Sequence, residues 1–304
     1  MAPRTKLEDS PIAGSLKGGV GDLPHGSTST ERNPAHSCEN YAPSFVGFEL
    51  PGHGDPYVDC GSTMARGCEN THLHPQGLDG RPRGAVFVQL YRRTCLRAQC
   101  PVCYESWCAK HAKRIDHRLR SYKPPKFRRP IHVVVSPPMS DWGLDYGSLR
   151  RKAYKIVRSV GVSGGCCIPH PFRINEVEGR VVSPHFHILG YGWTVGKVVS
   201  EAYAKSGWVV KNLGVRNSVN ATAHYLLSHA GVKFGRHTIT WFGNLSYNVL
   251  YVAPYVEESP RCPMCKAILK PLPLSLVAGL DPPPLGDYWY TSECGLRKWI
   301  VEEP

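Results

Sequence analysis

Two histidines separated by one apolar residue stand in Pro184-His185-Phe186-His187-Ile188-Leu189-Gly190. In an extended strand alternate side chains share a face. His185 and His187 therefore project together, while Phe186 and Ile188 point the other way into a core. Two imidazoles on one face grip a metal ion only when a third ligand joins them; alone, such a pair more often marks a solvated strand face. Residues 172–177 and 185–189 read as strands joined by a turn around Glu178-Gly179-Arg180. Pairing Val177 with Pro184 would put Glu176 across from His185, where cross-strand partners have Cβ atoms about 5 Å apart. The resulting His185-His187-Glu176 set would suit Mg²⁺ or Mn²⁺. A one-residue slip substitutes Asn175 or Val177, and Glu178 is a rival ligand.

A nucleophile is offered by the stretch Ser218 to Gly231. Val219, Ala223, Leu226, Leu227 and Ala230 repeat as the apolar stripe of a helix. Ser218 can cap its start and Gly231 its end. That leaves Thr222, Tyr225 and His229 together on another face. Tyr225 then has two readings: a phenol available for chemistry, or a ring at the core edge with a wet hydroxyl.

The chain has 12 cysteines and, from the apolar-poor start MAPRTKLEDS, no expected secretory signal. Close pairs in that setting read as zinc knuckles rather than disulfides. Cys95, Cys100 and Cys103 have metal-ligand spacing, with Cys68 or Cys108 to complete a tetrahedral set and His111 as another candidate. Cys60, Cys68, His72 and His74 belong to the same site or a second one. Cys262 and Cys265 form a further knuckle, with Cys294 or an upstream pair as partners. One or two structural Zn²⁺ ions are expected, their connectivity open. Cys166 and Cys167 read as ordinary buried thiols.

These residues must be positioned by a mixed set of elements. Residues 1–44, rich in Gly, Pro, Ser and Thr, are expected to form a disordered arm. Residues 45–125 read as a Cys/His-rich zinc module ending in a basic helix over 104–121, and Pro124-Pro125 ends that element. Residues 126–256 carry a strand at 132–135, a helix at 147–160, the hairpin, the Tyr225 helix, and short strands at 238–241 and 249–252. Residues 257–304 form a cysteine-containing tail expected to pack on the zinc module. Strands and helices alternate, but the hairpin makes the sheet at least partly antiparallel, so the class is α+β. Lys plus Arg outnumber Asp plus Glu by 37 to 24, a net +13, which favours a polyanionic partner. Lys110, Lys113, Arg114 and Arg118 on the basic helix are the candidate DNA contacts. No P-loop motif is present, and no stretch approaches the roughly 20 apolar residues that cross a bilayer.

In order, His132-Val133-Val134-Val135-Ser136-Pro137-Pro138, then Pro184 to Gly190, then Ala223-His224-Tyr225-Leu226-Leu227-Ser228-His229-Ala230-Gly231 resemble the three motifs of the HUH endonucleases. More narrowly they are similar to those of rolling-circle replication initiators of archaeal plasmids and viruses. Cys100-Pro101-Val102-Cys103-Tyr104-Glu105-Ser106-Trp107 also looks like that group. The resemblance spans residues 131–231. It implies an HUH-type antiparallel sheet with flanking helices, a catalytic metal on His185, His187 and Glu176, and Tyr225 as a single nucleophile. It further implies nicking and rejoining of single-stranded origin DNA through a 5′-phosphotyrosine link, with helicase and polymerase borrowed from a prokaryotic host whose cytoplasm the protein would occupy. Many members carry a lysine one turn after the tyrosine, where this chain has His229. Two other readings remain open: a transposase or relaxase of the same superfamily, and a non-catalytic zinc protein that binds nucleic acid.

Overall fold

The computed structural model describes residues 45–68, 70–74, 86–124, 129–175, 179–273, 289–291 and 296–301. Residues 1–44, Glu176 and Cys294 lie outside them, and with them the expectations placed there.

The class is α+β, with two five-stranded antiparallel sheets. In the first, β1 (Thr63–Gly67) and β2 (Val86–Arg92) pair with each other, and the C-terminal strands β8 (Lys270–Leu272), β9 (Trp289–Thr291) and β10 (Leu296–Val301) complete the order β8-β1-β2-β10-β9. The second sheet runs β6-β3-β5-β4-β7. It is built from β3 (Ile131–Ser136), two 14-residue strands β4 (Val162–Asn175) and β5 (Gly179–Gly192), β6 (Val209–Val215) and β7 (Thr240–Gly243). β5 is the middle strand, so its side chains are held by neighbours on both sides.

Strand alternation divides the second sheet into two faces with different covers. Val133, Val135, Cys167, Phe186 and Ile188 enter a core with Leu149, Ala153 and Val157 of helix α2 (Tyr146–Ser159) and with Phe45 and Phe48. On the other face Cys166, Ile168, Leu189 and Tyr191 pack under helices α1 (Tyr104–Ser121) and α4 (Val219–Ser228). His185 and His187 share the parity of Leu189 and Tyr191, so they continue this second face. α1 packs on α4 through Ile115, Leu119, Leu226 and Leu227, all essentially buried. The basic helix is thus a cover of the second sheet as well as a continuation of the cysteine module.

Local chemistry sets the helix starts. Asp145 accepts a hydrogen bond from Ser148 N, and Ser218 Oγ accepts one from Ala221 N at 3.1 Å. Helix α3 (Gly196–Ser206) fully buries none of its residues, and its Val199 and Ala202 pack half-buried against the first core. The strand expected at 249–252 does not form. Its neighbourhood is a turn in which Leu250 N donates to Ser246 O, and Leu250 O accepts from Arg118 Nη2. No helix among the described residues is long and apolar enough to cross a membrane.

Candidate metal and nucleophile site

The third histidine of the site is His170. It lies directly across the ladder from His185, and Ile168 faces His187. One ring nitrogen each from His170, His185 and His187 falls within 4.8 Å of the others, and the three side chains are largely buried. This corrects the expected hairpin register. Asn175 pairs with Gly179, and the partner of His185 is six residues earlier in the chain than Glu176. Glu176 itself lies outside the described residues. Among the described ones the donor set is three imidazoles.

Hydrogen bonds fix which nitrogen each ring turns inward. His170 Nε2 is 2.9 Å from Leu226 O, and His185 Nδ1 is 2.6 Å from Ser183 O. A carbonyl only accepts, so both nitrogens carry protons, leaving His170 Nδ1 and His185 Nε2 as lone-pair donors. His187 Nδ1 meets His132 Nε2 at 2.7 Å, which leaves His187 Nε2. Ligating histidines characteristically have the second nitrogen held in this way. His132 is a residue that sequence reasoning placed in a motif but gave no role.

Burial holds all four rings in the neutral form that binds metal. Desolvation, aided by the Arg173 charge, brings His185 down to about 4, although its bond to Ser183 O opposes this. His132 is also lowered to about 4, by burial first and then by Arg216. His170 and His187 are pushed far below the ordinary imidazole range, by burial and then by neighbouring histidines.

Helix α4 is tied to this cluster at two points. Leu226 O accepts a hydrogen bond from His170 Nε2, and Gly231 N donates to Pro169 O at 2.7 Å. Tyr225 is the residue immediately before Leu226, and its side chain is 65% exposed, so the phenol stands free for a ligand rather than locked in the core. The His229 ring lies 5.0 Å from the Tyr225 ring. His229 Nδ1 is within reach of Tyr225 O and Ser228 Oγ, which leaves Nε2 as the ring nitrogen not engaged by these contacts.

Two further donor sets are compatible with zinc. Cys60, Cys95, Cys100 and Cys103 form one; Cys68, His74, Cys262 and Cys265 form the other. Sulfur separations of 3.4 Å for Cys95–Cys103 and 3.6 Å for Cys60–Cys100 suit tetrahedral Zn–S bonds of about 2.3 Å. In the second set Cys68 Sγ and Cys262 Sγ each lie 3.5 Å from His74 Nε2, and Cys68 Sγ lies 3.4 Å from Cys265 Sγ. Cys68 thus belongs with the C-terminal knuckle, and Cys60 completes the set around Cys100. Cys108 is buried in the α1–α4 core, where desolvation pushes its thiol up to about 12. Cys166 and Cys167 are buried thiols.

The chain finds no match among known protein families, curated proteins or solved structures.

The basic helix is not uniform. Lys113 and Arg114 are exposed and Lys110 is half-buried. Arg118 is buried, with its guanidinium donating to Leu245 O at 3.0 Å and Leu250 O at 2.8 Å. Its place as a DNA contact is therefore corrected: its donors brace the 245–250 turn, because a buried guanidinium must satisfy them internally.

Proposed function

We propose that the chain is a metal-dependent endonuclease and strand transferase that nicks and rejoins single-stranded DNA, with Tyr225 as nucleophile. The observation that carries this is the His170 Nε2 to Leu226 O hydrogen bond, which ties the Tyr225 turn to a cluster of three neutral imidazoles. The order of motifs along the chain and the net +13 charge support it. Replication initiation at an origin is the preferred role, with helicase and polymerase supplied by the host.

His170 Nδ1, His185 Nε2 and His187 Nε2 would hold a divalent ion. When bound, such an ion offsets charge on the scissile phosphate and on the departing 3′ oxygen. Tyr225 Oη attacks phosphorus, the new O–P bond forms on the 5′ side, and the P–O3′ bond breaks. His229 Nε2 takes the phenol proton, and the 3′ oxygen leaves as a hydroxyl after gaining a proton from solvent. The phosphotyrosine diester keeps the energy of the broken bond, so a 3′ hydroxyl can reverse the step without ATP. We further propose that each of the two cysteine-rich sets holds one structural Zn²⁺.

Incubation with a 3′-labelled single strand and Mn²⁺ should yield a labelled protein band on a denaturing gel. Tyr225→Phe should lose the band and keep DNA binding. An adduct that persists in Tyr225→Phe ends the assignment.

A further inference from the structure

A cavity of about 930 Å³ opens beside the Cys100 knuckle, between α1 and the loops that follow α4. None of His170, His185, His187 or Tyr225 lines it, so it is separate from the site above. Its volume lies at the upper end of the range for ligand sites, about 300–1,000 Å³. Arg97, Arg114, Lys233 and Arg236 supply positive charge to its wall against the single carboxylate of Asp55. Arg114 and Arg236 are exposed and make no ion pair among the described residues.

The aromatic side chains are the second feature. Phe234 is 95% exposed and Tyr247 is 71% exposed, both on this wall. Tyr247 is propped from behind by the Arg118 guanidinium, 4.5 Å from its ring centre, and Arg118 also lies 5.1 Å from the Trp241 ring. A phenylalanine left this open in water forgoes the gain from burying its ring. Cations that meet phosphates, interleaved with open rings that stack on bases, form the combination that binds single strands without base-edge reading. A duplex hides its base faces and would leave these rings idle. An acidic peptide would meet the charge but offers few flat partners.

We propose that this cavity holds a short single-stranded nucleic-acid segment, with phosphates on Arg114 and Arg236 and a base stacked on Phe234. This binding stands independently of whether nicking occurs at the separate histidine site.

The test uses the full chain carrying Tyr225→Phe, zinc retained and no other divalent ion added, so that it reads binding alone. Labelled 12-mers of thymidylate and uridylate and a 12-base-pair duplex are titrated by fluorescence anisotropy at several salt concentrations. Both single strands should bind more tightly than the duplex, and the two arms distinguish DNA from RNA. Phe234→Ala should weaken single-strand binding by about 5- to 150-fold, the effect of losing one stacked base. Arg114→Ala with Arg236→Ala should lower the salt slope by about 1.4, since each single-strand phosphate contact contributes about 0.7. All three side chains are exposed, and an unchanged melting midpoint confirms intact folding. Unchanged affinity and slope in these variants, or preference for the duplex, overturns the proposal.

Discussion

His132 has one nitrogen against His187 and the other, Nδ1, buried with no partner among the described residues. A metal on His187 Nε2 would settle the pair, because His187 Nδ1 would then have to donate to His132 Nε2. His132→Ala should therefore weaken Mn²⁺ affinity by about 10- to 100-fold, measured by titration calorimetry, with the Tyr225 turn unchanged. An affinity equal to that of the unaltered chain would show that His132 only fills space. Three imidazoles also shift the metal expectation. Mg²⁺ prefers oxygen ligands and keeps its water, whereas imidazole suits first-row transition ions. Strand cleavage should accordingly run well with Mn²⁺ and poorly with equal Mg²⁺; the reverse order would require an oxygen ligand from outside this cluster. The same rings set a pH dependence. His132 and His185 have folded-state values near 4 against about 6.5 when unfolded. Between those values the unfolded chain binds more protons, so the metal-free fold should lose stability as pH falls from about 6.5 to 4. Denaturant midpoints across that window check the sign.

At the scale of elements, the site was legible wherever periodicity is strong. The helix over 104–121 and the Tyr225 helix follow from their apolar stripes, and β5 from His185 to Leu189 follows from alternation. The β4 partner was harder to read, and with it His170. Pro169 and Pro171 flank that histidine and disguise ten residues of strand before Phe172. The signal was nonetheless present: Cys166, Ile168 and His170 recur at every second position, as Leu189, His187 and His185 do in reverse. Register is set by where a hairpin closes, and Gly179 and Arg180, expected in the turn, are the first residues of β5. Shared backbone contact also fixes that register. Gly165 pairs with Gly190, and a Cβ on Gly190 would fall 2.2 Å from Gly164 O and 2.8 Å from Gly165 Cα. Those neighbours are main chain and cannot rotate away. Gly190→Ala should destabilise the fold by about 1–3 kcal/mol and weaken metal binding at the other end of the same strand pair. Equal denaturant midpoints for the two chains would show that the strands part at no cost.

For the molecule as a whole, the second cysteine-rich set joins parts of the chain that are remote in sequence. Cys68, at the end of β1, meets Cys265, 197 positions away, while His74 meets Cys262 across 188. The knuckle leads directly into β8, which pairs with β1, so the metal would fasten the same junction that the ladder forms. Among the described residues the hydrophobic cluster there comprises Cys68, Phe87, Cys262 and Leu269 with Met264, Cys265 and Ala267 against it. The Cys60 set instead draws its donors from within residues 60–103 and adjoins the larger core under α1. The two sites should therefore behave differently. The purified chain should contain two zinc ions by mass spectrometry of the digested metal. Cys262→Ser should retain one, become cleavable by protease near residue 260, and melt on the order of 10 °C lower, as expected when a structural metal bound about a thousandfold above its dissociation constant is lost. Because the His170-His185-His187 cluster draws no ligand from this clasp, Mn²⁺ affinity should survive the change below the melting point. If Cys262→Ser keeps both zinc ions, the four donors do not form a site; if it loses both, the two sets are not independent.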